Sequence, residues 1–152
     1  MTHVVVLGID AESATAYRRC HADSQMRFTF IGDENAEENF MRDEDKEILK
    51  KAGIPFEYLL NEQKPQDCHA LVYADVVLLG ISEEQLELYS GYLTAVFMMR
   101  AKTNALQPLQ IVYKKENSEQ VQQLLKAVCG SVKEETAMWF HQMANVKELQ
   151  LM

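Results

Sequence analysis

The stretch HVVVLGID at residues 3–10 is a continuous apolar run that ends in glycine and aspartate. A run of β-branched residues without polar alternation is typical of a strand that helices cover on both faces of a sheet. The stretch VVLLGIS at residues 76–82 repeats the pattern, with Leu-Gly-Ile and then a polar residue after the apolar run. The two stretches therefore predict two central parallel strands of one sheet.

Strand and helix patterns alternate along the rest of the chain. The predicted strands are residues 3–9, 26–31, 54–60, 75–80 and 109–113, with a short last strand at 131–135. The predicted helices are residues 11–24, 43–53, 67–74, 83–106, 117–130 and 136–151. Spacings typical of a capping box, at Ser82 with Gln85 and at Asn117 with Gln120, mark two of the helix starts.

This alternation predicts a single α/β domain over residues 1–152, a three-layer doubly wound fold. Pro55 removes a backbone donor, which places the strand at residues 54–60 at an edge of the sheet. Right-handed crossovers then leave a mostly parallel five-stranded sheet in the flavodoxin-like or Rossmann-like order 3-2-1-4-5.

Composition restricts the class of partner. The formal charge is −8, from 23 acidic and 15 basic residues, and such a field repels a nucleic-acid backbone. No apolar stretch approaches the roughly 18 residues of a membrane span, and no secretory lead is visible, so we expect a cytoplasmic protein with no membrane partner. The odd count of three cysteines favours reduced thiols over a disulfide framework.

The carboxyl ends of the two central strands are the predicted ligand site. They flank the point where strand order reverses, which is the crevice in which open α/β sheets bind ligands. We therefore predict that Gly8, Asp10, Ser13, Gly80 and Ser82 contact a small anionic or polar ligand, if one binds. The alternative is that these residues only let each strand end and cap the helix that follows.

No cofactor, metal site or catalytic residue is predicted. The first loop, GIDAES at residues 8–13, lacks the second and third glycines of a dinucleotide fingerprint and carries two carboxylates where a pyrophosphate would lie. This argues against NAD and FAD. A phosphate-binding loop followed by Lys-Ser or Lys-Thr is also absent from the sequence.

Two families share features with this sequence. The strand ends resemble response-regulator receiver domains, with polar and charged residues at Asp10, Asp33, Glu34, Ser82 and Lys114. Gly80 stands where one alignment requires the phospho-accepting aspartate, so the resemblance implies no phosphorylation.

The stretch Ala74-Asp75-Val76-Val77, continuing through Ser90-Gly91 to Val112, resembles nucleoside deoxyribosyltransferase-like proteins. In that alignment the nucleophilic glutamate of the family falls near Thr94. The resemblance therefore implies a related fold without the nucleophile for glycosyl transfer.

Three function classes stay open on the sequence. The first is a module that binds a small ligand, nucleotide-like ligands included, and the second is an enzyme acting on a nucleotide or sugar phosphate. The third is an oligomeric interaction module, because the helix at residues 83–106 is apolar nearly all round. This pattern predicts a homodimer with Tyr89, Tyr92 and Met99 as contact residues.

Overall fold

The computed structural model describes residues 1–8, 10–32, 42–60, 69–80, 86–103 and 107–150. Its strands are β1 Thr2–Leu7, β2 Met26–Gly32, β3 Phe56–Leu60, β4 Val76–Leu79, β5 Leu109–Tyr113 and β6 Ala144–Glu148. Its helices are α1 Ala11–Cys20, α2 Asp43–Lys51, α3 His69–Val72, α4 Leu86–Lys102, α5 Ser118–Ser131 and α6 Glu134–Met143. None of the described helices has the length and apolar character needed to cross a membrane.

The described strands form one sheet in the order β3-β2-β1-β4-β5-β6. Every neighbouring pair is parallel. The predicted doubly wound fold and the order 3-2-1-4-5 are confirmed, and β3 lies at the edge as Pro55 indicated. The order reverses between β1 and β4, where Val4 to Leu7 pair with Val76 to Leu79.

Both faces of the central strands are buried, which explains their uninterrupted apolar sequence. One core lies between the sheet and α3 to α6, and its strand residues include Val5, Leu7, Val77, Leu79 and Ile111. The other core lies beneath α1 and α2, and its strand residues include Val4, Val6, Val76, Leu78 and Val112. Alternate residues point to opposite faces, so a strand covered on both faces needs apolar residues throughout.

The end of the chain differs from the sequence prediction. The expected strand at 131–135 is wrong, because helix α6 covers Glu134–Met143, and the expected helix at 136–151 gives way to β6. The spacing of Trp139, Met143 and Val146 fits a helix, but Val146 instead pairs with Ile111 of β5. Hydrogen bonding to the open edge of β5 outweighs the helical periodicity of residues 144–148, so the sheet has a sixth strand.

Most of the large apolar side chains described in α4 are covered within the chain. Tyr89 and Tyr92 are buried, and the Tyr89 hydroxyl donates to the Ile31 carbonyl oxygen at 3.2 Å. On the other side, the Phe97 ring contacts Trp139 and Phe140 of α6, with ring centroids 6.2 and 4.9 Å away. The prediction of Tyr89 and Tyr92 as contacts between subunits is therefore wrong. The predicted start of this helix at Glu83, with Ser82 and Gln85, lies outside the described residues.

Candidate functional site

Asp10 caps helix α1 at the point where strand order reverses. Its Oδ1 atom accepts a hydrogen bond from the Ser13 backbone N–H at 3.0 Å, and its Oδ2 atom accepts one from the Ser13 hydroxyl at 2.8 Å. A carboxylate in this position satisfies a backbone donor that the first turn leaves open and complements the helix dipole. The α1 N-terminus thus holds an anion that belongs to the protein itself.

Lys114, the first residue after β5, completes this arrangement. Its ammonium nitrogen lies 2.8 Å from Oδ2 of Asp10. The Asp10 side chain is 12% exposed and that of Lys114 is 31% exposed, so the pair is partly shielded from water. With this contact, Asp10 accepts three hydrogen bonds. The Lys114 ammonium group has three N–H donors, and it directs one of them at Asp10.

Gly80 is packed against this cap, and Gly8 is packed against Gly80. A Cβ atom on Gly80 would lie 2.7 Å from the Asp10 Cβ, and one on Gly8 would lie 2.8 Å from the Gly80 carbonyl oxygen. Gly8 also has a positive φ of 92°. The space next to these glycines is therefore filled by the Asp10 side chain and by backbone.

An open cavity of about 170 Å³ lies on the far side of Asp10. It is lined by Asp10, Glu12, Ser13, Ala16, Lys114, Lys115, Glu116 and Leu149. Glu12, Lys115 and Glu116 are exposed at its rim, whereas Ser13 and Leu149 are buried. The cavity therefore combines exposed charged residues with the mostly buried Asp10 and Ser13 and the half-buried Lys114.

The structure brings four of the five predicted site residues together. Asp10 and Ser13 line the cavity, whereas the two glycines do not: Gly80 lies against Asp10, and Gly8 lies against Gly80. Ser82 lies outside the described residues. The sequence named Lys114 only through the receiver resemblance and not among the predicted ligand contacts, although its position directly after a parallel strand next to β4 places it at the same sheet edge.

Leu149 could not be found from sequence, because its place depends on β6. Its backbone N–H donates to the Tyr113 carbonyl oxygen at 2.7 Å, which extends the pairing of β5 with β6 by one residue. The side chain is then 8% exposed and packs in the core beneath α1.

The described residues add no catalytic group to either family resemblance. Asp33 and Glu34, which the receiver resemblance uses, lie outside the described residues. Thr94 donates its hydroxyl to the Ser90 carbonyl oxygen at 2.8 Å, a bond internal to α4. Within the described ranges, no group of three or more histidine, cysteine or acidic side chains is placed to hold a metal ion.

No protein-family model matches the sequence. No curated protein matches it either. Among solved structures, the chain is similar to apo saccharopine dehydrogenase from Saccharomyces cerevisiae, with 12% identity and a TM-score of 0.42 over 97% of this chain and 27% of that one.

Two further solved structures are similar to the chain. BdcA (YjgI) from E. coli has 12% identity and a TM-score of 0.43 over 97% of this chain and 82% of that one. Leucoanthocyanidin reductase with NADPH from Vitis vinifera has 9% identity and a TM-score of 0.45 over 83% of this chain and 46% of that one. At these values the likeness assigns no ligand or reaction to this chain.

Proposed function

We propose that the chain is a small-molecule-binding module, and that the cavity lined by Asp10 and Lys114 receives the carboxylate head group of its ligand. The observation that carries the proposal is the half-buried Lys114 ammonium in the lining of an open cavity, with one donor directed at Asp10. Charge-assisted hydrogen bonds to an ammonium are among the stronger polar contacts in proteins.

Electrostatics favours a singly charged head group over a polyphosphate. The lining carries three carboxylates, Asp10, Glu12 and Glu116, against two ammonium groups, Lys114 and Lys115. The net charge of the lining therefore repels a ligand with several negative charges, while Lys114 still offers a local contact for one. Glu12 and Glu116 are exposed, so water screens their repulsion at the rim.

The capped helix supports the same conclusion. In dinucleotide-binding α/β proteins the pyrophosphate lies at the N-terminus of the first helix. Here the Asp10 carboxylate lies at that helix end and accepts the Ser13 N–H. A nucleotide phosphate would have to displace a side chain that three hydrogen bonds hold in place.

Titration with butanoate, followed by amide chemical shifts, tests the proposal. We expect perturbations at Asp10, Ser13 and Lys114, and a loss of affinity of about tenfold or more in Lys114→Gln, because a hydrogen bond to a charged group is removed. Lys126→Gln removes an exposed lysine of α5 and is the matched control. Binding of butanoate that Lys114→Gln leaves unchanged would contradict the proposed site.

A further inference from the structure

A second cavity of about 330 Å³ adjoins the first along helix α1. It is lined by Tyr17, Cys20, His21, Val112, Lys147, Glu148, Leu149 and Gln150. Leu149 lines both cavities, so they meet at this residue. We call the cavity at Lys114 the head cavity and this one the tail cavity.

The tail cavity has an apolar floor and an aromatic wall. Val112, Tyr17 and Leu149 are 2%, 4% and 8% exposed, and all three belong to the core beneath α1. The His21 ring stacks on Tyr17 with centroids 4.3 Å apart. Such a floor favours hydrocarbon, because removing apolar area from water is favourable. Lys147 and Glu148 also line the cavity, and both are only half-buried, so they keep part of their surface in water.

At the C-terminal end of α1, the tail cavity includes a contact between the helix and the segment after β6. The Cys20 thiol donates to the Gln150 carbonyl oxygen at 3.1 Å. From Asp10 to Tyr17 the helix advances by about 10 Å, at 1.5 Å per residue. The two cavities therefore follow one another along α1, with a charged head end and an apolar tail end.

We infer that the two cavities form one groove for a straight-chain aliphatic carboxylate, with the head group at Lys114 and the alkyl chain in the tail cavity. This inference rests on the proposed function of the head cavity. The head cavity alone is smaller than the roughly 300–1,000 Å³ usual for small-molecule sites, and the tail cavity supplies the missing volume. The alkyl chain of the ligand then passes over Leu149, the residue that lines both cavities.

Chain-length dependence is the first test. Each methylene that enters the tail cavity should lower Kd about threefold to fourfold, so octanoate should bind at least about tenfold more tightly than butanoate. Octanol, which has an eight-carbon alkyl chain but no carboxylate, should bind more weakly than octanoate. Cys20→Trp fills the tail cavity, and we expect it to remove the advantage of octanoate while butanoate binds as before. Arg19→Trp, at an exposed neighbouring position, is the matched control.

Cysteine alkylation is a second readout that needs no variant. Octanoate at saturation should slow the reaction of Cys20 with N-ethylmaleimide several-fold, measured by peptide mass spectrometry. Cys129 packs against the core on the opposite face of the sheet and is the internal control. Butanoate, which is too short to occupy the tail cavity, should protect Cys20 less.

The outcomes separate the two proposals. Butanoate binding at Lys114 without a gain for octanoate, and without protection of Cys20, would overturn the groove and leave the head cavity as the site. Failure of both carboxylates to perturb Asp10, Ser13 or Lys114 would overturn the proposed function and the groove together. Octanol binding as tightly as octanoate, with no effect of Lys114→Gln, would also reject the carboxylate head group.

Discussion

Asp10 lies so close to Gly80 that no side chain fits between them. A Cβ atom on Gly80 would lie 2.7 Å from the Asp10 Cβ and 2.9 Å from its Oδ2 atom. The glycine after β4 thus lets the N-terminus of α1 settle onto the edge of the sheet. Gly80 is the glycine of the second Leu-Gly-Ile repeat, and its lack of a side chain leaves room for Asp10 to cap α1. Asp10 in turn holds the Lys114 ammonium group.

Replacing Gly80 with alanine should lower the free energy of unfolding by about 1–3 kcal/mol, because the added methyl group overlaps Asp10. Urea denaturation measures the loss. In an Asp10→Gly background, where the overlapping atoms are absent, Gly80→Ala should lower the free energy of unfolding by less. Gly130→Ala, where the new Cβ meets nothing within 4 Å, should instead stabilise helix α5 by about 0.5–1 kcal/mol. An equal cost of Gly80→Ala with and without Asp10 would refute this packing account.

Replacing Gly8 with alanine should cost more than the same change at Gly53. Both residues have positive φ, 92° and 68°, which costs a residue with a Cβ about 1–2 kcal/mol. At Gly53 the new Cβ meets nothing within 4 Å, whereas at Gly8 it would lie 2.8 Å from the Gly80 carbonyl oxygen. If the two variants unfold in urea with the same m-value, the difference between their midpoints reports the extra steric cost at Gly8. Equal losses would mean that the backbone at residues 8 and 80 moves apart freely.

The sequence could predict the centre of this fold better than its end. The runs at residues 3–9 and 75–80 are apolar on both faces, and few structures other than a buried parallel strand accept that pattern. Residues 144–148 carry a weaker signal, since Asn145 and Lys147 are polar and the segment follows a helix directly. Only the open edge of β5, a tertiary feature, decides that these residues extend the sheet.

The candidate site also combines residues that local sequence signals predict with residues that only the tertiary structure places. Asp10 and Ser13 could be predicted, because helix caps and strand ends have local sequence signals. Lys114 could be placed at the correct edge but not at Asp10, since its reach depends on the register of β4 and β5. Leu149 and the tail cavity follow from β6, so they could not be predicted before that strand was known.

The state of assembly stays a prediction, which light scattering across a dilution series tests. The pattern that predicted a homodimer is accounted for by burial of α4 under α6 within one chain. Met98, 48% exposed, and Met99 are the large apolar residues of α4 that stay partly accessible among its described side chains. A dimer should double the mass of 17.4 kDa at high micromolar concentration and dissociate on dilution. A mass near 17.4 kDa at every concentration would reject it.

Stability should fall at alkaline pH, in part through Cys129. Burial raises the pKa of this thiol, so folding favours its neutral form. The stabilisation is complete below the usual thiol pKa of about 8.5 and is lost as the pH rises through the raised value. Burial, and then the charge of Asp75, raises the pKa of Tyr17, which has the same sign at higher pH.

Urea denaturation of the wild type and of Cys129→Ala at pH 7, 8.5 and 10 separates the contribution of Cys129 from that of Tyr17. The difference in unfolding free energy between the two proteins should shrink as the pH rises, because only the wild type must bury a thiolate or protonate it. Cys20→Ala controls for the loss of a thiol as such, and Tyr17→Phe should reduce the remaining alkaline loss. A difference between wild type and Cys129→Ala that stays constant from pH 7 to 10 would show that burial of Cys129 does not disfavour its thiolate.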